Sequence, residues 1–166
     1  LAAAAVGWVQ GVNPDQIRIG LEGFEPVSGR MVLYEMPFGA RIIDDTYNAN
    51  PGSMETAIGC LSGMSGCKRE ILVAGDMLEL GPEAARLHEQ IGRLAAGAGI
   101  GRLYLSGAFA AQVAKGARSG GMKGGDIFVG TRQDIVRDLS RELKAGDCVL
   151  VKGSRSTGMD EIVDRL

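Results

Sequence analysis

The chain has 166 residues, 45% of them hydrophobic, with a formal net charge of −2. That is one ordinary domain, or a domain plus a fragment, with enough apolar residues for a packed core. The near-neutral charge and 5% aromatic content give no generic pull toward nucleic acid or an anionic membrane.

The opening "LAAAAVGWVQGV" is apolar but short, with no basic flank and no initiator Met. It fits neither a signal peptide nor a membrane span, and reads as the last turns of a helix inside a longer protein. "NPDQIRIGLEGF" predicts a second helix, with Asn13 as cap and Pro14 in the first turn. "EPVSGR" is a connector. From Met31 onward strands and helices alternate. "RMVLYEM" and "ARIIDD" are strand candidates joined by a short "PFG" turn, so this pair is expected to be antiparallel. "GSMETAIGCL" places Met54, Ala57, Ile58 and Leu61 at helical spacing behind Pro51. "REILVAGDM" is a continuous apolar run, as expected of a strand buried on both faces. "PEAARLHEQIGRLAAGA" is a helix with Leu87, Ile91, Leu94 and Ala95 on one stripe. Then come strand "RLYLSG", helix "AFAAQVAKGA", strand "DIFVG", helix "TRQDIVRDLSREL", strand "DCVLVKGS" and helix "TGMDEIVDRL". The alternation predicts an α/β fold: a Rossmann-like, mostly parallel sheet of about six strands with helices on both faces.

Each predicted strand ends in polar or small residues. In a parallel sheet these ends meet on one edge, so Asp45, Asp76, Ser106, Thr131 and Lys152 are expected to share a cleft. "DDTYNANP" (44–51) is the richest of these ends. A carboxylate there suits ribose hydroxyls or a cation, Asn offers donor and acceptor, and Tyr stacks on a ring. The plainer alternative is turn chemistry, with Asn50 capping the next helix and Pro51 at its first position. "VKGSRSTG" puts Lys152 and Arg155 beside a helix start, a plausible anion site or simply two solvated charges. No GxGxxG or GxxxxGK[ST] is present, so a nucleotide here would lack the usual phosphate cradle. His88 reads as a satisfied half-buried side chain. Cys60, Cys67 and Cys148 form no CxxC pair, which argues against a disulfide framework or zinc site and favours a reducing cytoplasm.

"GRM" (29–31), "DDTYNANPGSM" (44–54), "GDMLELG" (75–81) and "VKGSRSTGMDEIV" (151–163) together resemble the Mur ligases. The likeness runs over essentially the whole chain. Within the family it points to the branch that joins D-alanyl-D-alanine to UDP-N-acetylmuramoyl-tripeptide. It implies a cytoplasmic enzyme of three domains, of which residues 1–28 are the tail of the central ATPase domain and 29–166 the C-terminal Rossmann-like domain. The family reaction uses ATP and Mg2+ and passes through an acyl phosphate, with the magnesium ligands and P-loop in the other domains. The fragment alone is then expected to be inactive and to contain no catalytic residue and no metal site.

By the same resemblance, Arg30 matches a hinge arginine that contacts the nucleotide and Asp45 the ribose-binding aspartate. Tyr47, Asn48 and Asn50 line the ATP or acceptor side. Lys152, Ser154 and Arg155 fall where sister ligases contact the incoming amino acid or peptide carboxylate. Asp76 and Glu79 match a signature without an assigned role. Two other readings stay open: a free-standing nucleotide-binding module, and a ligase of the folate polyglutamate or cyanophycin type, which "DDTYNANP" argues against.

Overall fold

A computed structural model describes all 166 residues. Helices α1 (Ala2–Val9) and α2 (Pro14–Glu22) form a hairpin in which no residue is buried. The Asn13 side chain accepts the Asp15 amide at 2.8 Å, and Pro14 opens α2. Val6, Trp8, Val9, Ile19 and Leu21 remain exposed on this pair, as does Phe24 just beyond it.

The sheet contains β1 (Val32–Glu35), β2 (Arg41–Asp45), β3 (Arg69–Ala74), β4 (Arg102–Leu105), β5 (Ile127–Val129) and β6 (Asp147–Lys152), in the spatial order β1-β2-β6-β3-β4-β5. Only β1 runs antiparallel, pairing with β2 across a tight turn. β6 is buried along its whole length because it lies at the centre of the sheet.

Helices α3 (Pro51–Ser62), α4 (Ala84–Gly97) and α5 (Ala110–Ser119) pack on one face around Met54, Leu61, Leu72, Ile91, Leu103 and Val113. Helices α6 (Arg132–Glu142) and α7 (Asp160–Val163) cover the other face over Ile42, Val73, Tyr104, Val149 and Val151. The expected apolar stripe of α3 is the buried one: Met54, Ala57, Ile58 and Leu61. Helices α4 and α5 touch through glycine. A Cβ on Gly92 would stand 1.9 Å from the Val113 carbonyl oxygen, and one on Gly116 would stand 1.8 Å from that of Glu89. Two backbones approach this closely only where side chains are absent.

Two predicted helices have other bounds in the structure: α5 keeps ten residues but lies two positions later, and α7 is shorter. α5 begins at Ala110 because the Asp76 carboxylate takes the amides of Ala108 and Phe109, at 2.8 and 3.0 Å. α7 keeps only four residues: Gly158, at φ +65°, separates it from a 3-10 turn over Arg155–Thr157.

The cysteine reading needs correction. Cys67 and Cys148 form a disulfide, with Cα atoms 5.7 Å apart, and only Cys60 is free. The sulfurs lie 81 positions apart in sequence, but β3 and β6 are parallel neighbours with Arg69 opposite Asp147, so the strand entries adjoin. Cross-linking that separation restricts the unfolded chain by about 4–5 kcal/mol on a chain-entropy argument. His88 is also more enclosed than expected. It is 1% exposed, accepts the Met77 amide at Nε2 (2.9 Å) and donates from Nδ1 to the Ala84 carbonyl (2.7 Å).

Gly116→Ala should cost about 3 kcal/mol in urea unfolding, because the clashing atom is helix backbone and cannot rotate away. Tyr104 gives a pH-dependent test. Burial, and then its hydrogen bond to Asp138, push its phenol from 10.0 up to about 12. The folded state thus holds a proton that the unfolded state releases. This stabilisation is complete below pH 10 and is lost as pH rises toward 12. Wild type should exceed Tyr104→Phe in stability by about 1 kcal/mol at neutral pH, and that advantage should shrink across the same interval.

Candidate functional site

The strand order creates two crevices on the carboxyl edge. The chain leaves β2 and β3 toward the face of α3 and α4, but leaves β6, which lies between them, toward α7 on the other face. Loops on either side of β6 therefore diverge, and such switch points are where α/β sheets bind ligands. The crevice at β2/β6 has a volume of about 380 Å³ and the one at β6/β3 about 570 Å³.

Parallel register places Asp45 directly opposite Lys152. The Lys152 Nζ donates to Asp45 Oδ2 at 2.6 Å and to the Asn48 carbonyl at 2.8 Å. Lys152 is 2% exposed, while the Asp45 side chain retains 15% of its surface and looks into the first crevice. Asp44 points the other way and is consumed internally. Its carboxylate accepts the Gly29 and Thr46 amides and the Thr46 hydroxyl. Gly29 stands at φ +74°, where a Cβ would lie 2.9 Å from the Tyr47 amide nitrogen. The connector thus lies tight against the loop, and Arg30 reaches the ring.

Tyr47 stands between two guanidinium groups, Arg30 at 4.0 Å from the ring centroid and Arg155 at 5.1 Å. Arg30 lines the first crevice and Arg155 the second. Asn48 lines both. Asn50 caps α3 through a capping box: its Oδ1 accepts the Ser53 amide at 2.9 Å and its own amide donates to Ser53 Oγ at 3.0 Å. Its side chain also borders the first crevice.

Of the sequence candidates, Arg30, Asp45, Tyr47, Asn48, Asn50 and Lys152 come together in one crevice. Ser154 and Arg155 lie in the other. Lys152 is not the open anion-binding cation expected beside Arg155, since Asp45 and Asn48 hold it. Ser154 Oγ accepts the Leu78 amide at 2.9 Å and donates to the Ala49 carbonyl at 3.3 Å, tying three loops together. The expected single cleft is also divided. Ser106 and Thr131 line a separate hollow with Arg132, Gln133 and Glu161, and Asp76 is buried as the cap of α5.

Four α3 residues of the first crevice were not among the site candidates: Ser53, Thr56, Cys60 and, from the buried stripe, Ala57. For the first three, near-helical spacing from Asn50, beside the apolar stripe, is the signal that finds them. Glu79 lines the second crevice at φ +61° and Met31 the first at φ +56°, so a non-glycine residue in left-handed backbone borders each. No group of three or more His, Cys, Asp or Glu side chains is placed to hold a metal ion. With Asp45 paired to lysine, the residues here do not fit a magnesium site.

The sequence model of the family described as "Mur ligase, glutamate ligase domain" matches residues 29–155. The chain belongs to the Mur ligase family. The UDP-N-acetylmuramoyl-tripeptide--D-alanyl-D-alanine ligase of Bacillus subtilis (strain 168) is 32% identical over 166 residues, covering 100% of this chain and 36% of the relative. That of Escherichia coli (strain K12) is 35% identical and also covers 100% of this chain and 35% of the relative. The chain thus spans about a third of the length of the curated relatives it matches. The crystal structure of MurF ligase from Thermotoga maritima in complex with ADP aligns at a TM-score of 0.79 and 27% identity, covering 97% of this chain and 35% of that one. A folylpolyglutamate synthase/dihydrofolate synthase from Yersinia pestis, at 17% identity and a TM-score of 0.62, shares the fold alone.

In this Mur ligase domain the buried pair gives a clear test. Lys152→Met leaves the Asp45 carboxylate without its partner and should cost about 3–5 kcal/mol in urea unfolding. Adding Asp45→Asn should recover much of that loss, the signature of a coupled pair in a double-mutant cycle.

Proposed function

We propose that the chain is the C-terminal portion of a cytoplasmic, ATP-dependent ligase that joins D-alanyl-D-alanine to UDP-N-acetylmuramoyl-tripeptide in peptidoglycan precursor synthesis. Residues 29–166 form the ligase's Rossmann-like domain, and residues 1–28 belong with a preceding ATPase domain that carries the P-loop and the magnesium ligands. The bare apolar surface of the α1–α2 hairpin supports that division. The names of the two curated relatives and the bound ADP of the Thermotoga structure support the reaction.

One observation carries the assignment of roles: the two crevices share Asn48 as a wall, and Tyr47 beside it in the first lies against Arg155 of the second. A reaction that brings a nucleotide and an acceptor amine to one carboxylate needs adjoining sites. ATP supplies the phosphoryl group that activates the peptide carboxylate as an acyl phosphate, and the dipeptide amine displaces phosphate. In the first crevice the exposed edge of Asp45 accepts ribose hydroxyls, and Lys152 fixes its orientation. Tyr47 lines the crevice and braces Arg30, whose guanidinium lies on its ring and meets the nucleotide. Asn48 and Asn50 border it with amide groups. In the second crevice Arg155 supplies positive charge for a carboxylate, and Ser154 holds the surrounding loops in place.

The test is steady-state ligation by the full-length enzyme containing this segment. Tyr47→Ala should raise KM for ATP by about tenfold, the loss of the cation–π contact that holds Arg30 at the crevice. Arg155→Ala should raise KM for D-alanyl-D-alanine while leaving that for ATP near wild type. Absence of ATP-dependent ligation with these substrates in the wild-type enzyme would overturn the reading.

A further inference from the structure

At the end of the sheet opposite the crevices, β2, β6 and the entry to β3 bring three side chains together. Register sets Arg41 opposite Cys148. Its Nη2 lies 3.2 Å from Cys148 Sγ, 3.4 Å from Cys67 Sγ and 2.7 Å from the Ser65 carbonyl oxygen. The two sulfurs are chemically unequal. Cys148 is fully buried, whereas Cys67 is partly open to solvent. The arrangement has an exposed sulfur to be attacked, a buried sulfur to leave, and a fixed cation against the leaving atom. Thiol–disulfide exchange depends on those features: access to one sulfur, and stabilisation of the departing thiolate. A disulfide with a purely structural role needs no cation at its sulfurs.

We propose that Cys67, Cys148 and Arg41 form a thiol–disulfide exchange site for low-molecular-weight thiols. The thiolate of such a thiol attacks Cys67 Sγ and forms a mixed disulfide. The electron pair of the broken S–S bond leaves on Cys148 Sγ, where the Arg41 guanidinium holds it until water supplies a proton. A second thiolate attacks the small-molecule sulfur of the mixed disulfide and releases the Cys67 thiolate. The two thiols lose two electrons and leave as their disulfide, and the protein gains two thiols. Oxidation by a low-molecular-weight disulfide is the same sequence reversed. The β3 entry and the start of β6 are then joined or released according to the thiol poise of the surroundings.

The experiment equilibrates the purified 166-residue chain in glutathione mixtures of defined ratio, traps thiols by alkylation and maps the peptides. Wild type should pass reversibly between a Cys67–Cys148 disulfide and a dithiol, with native circular dichroism in both forms and a lower Tm when reduced. Starting from the oxidised form, Arg41→Gln should be reduced by glutathione at least about tenfold more slowly than wild type, because the leaving thiolate loses its charge-assisted partner. Arg41→Lys, which keeps the charge, should stay close to wild type and serves if the glutamine variant does not fold. No Cys67–Cys148 peptide in excess oxidised glutathione would overturn the proposal. So would equal reduction rates in all three proteins, or reduction only with loss of native structure.

Discussion

The ion pair between Asp45 and Lys152 is the contact on which the carboxyl edge depends. It follows from register: two parallel strands present these residues side by side where each strand ends. A lysine that is 2% exposed is stable only with its charge met, and one carboxylate plus one carbonyl meet it. The same ammonium therefore fixes two things at once, the orientation of Asp45 and the path of the chain at Asn48. Without it the loop would be free to move away from β6, and the two crevices would lose their common wall.

β6 organises both ends of the molecule because it is the last strand in sequence and yet central in space. Its entry into the middle of the sheet makes the flanking loops diverge, which opens the crevices at its carboxyl end. At its amino end the same position brings Cys148 beside Arg41 of β2 and next to the chain entering β3. Residues separated by a hundred positions meet at both ends for one topological reason.

Much of the fold was legible because its signals are local. The apolar run of β3, the stripe of α3 and the Asn13 and Asn50 caps depend on residues within a turn or two of each other. The polar ends of the predicted strands, "DDTYNANP" and "KGSRSTG" among them, pointed to the carboxyl edge as the candidate site. What stayed hidden depends on pairing across the sheet. Nothing near Lys152 in sequence says that Asp45 will neutralise it, so it read as an open cation. Nothing near Cys67 says that Cys148 will stand beside it. The expected single cleft split for a similar reason, since the direction in which each loop leaves the sheet is fixed by strand order. Asp76 was read as a cleft residue, but the start of α5 needed an acceptor, and a buried carboxylate at a helix start is well placed to supply one.

The density of polar groups in "DDTYNANP" now has a physical account. Strand alternation carries past the last residue of β2. Asp44 and Thr46 turn inward and satisfy each other and the Gly29 amide, which anchors the connector. Asp45 and Tyr47 turn toward the crevices, where one is steadied by a buried lysine and the other is flanked by two arginines. Ala49 is buried, and its carbonyl accepts from Ser154. Asn50 then closes the loop by starting α3. The polar residues thus divide into those that hold the loop and those that the loop presents. The second set is small and rigidly carried, because the first set is fully bonded. A short loop needs this many polar side chains when it must be both a fixed wall and a binding surface.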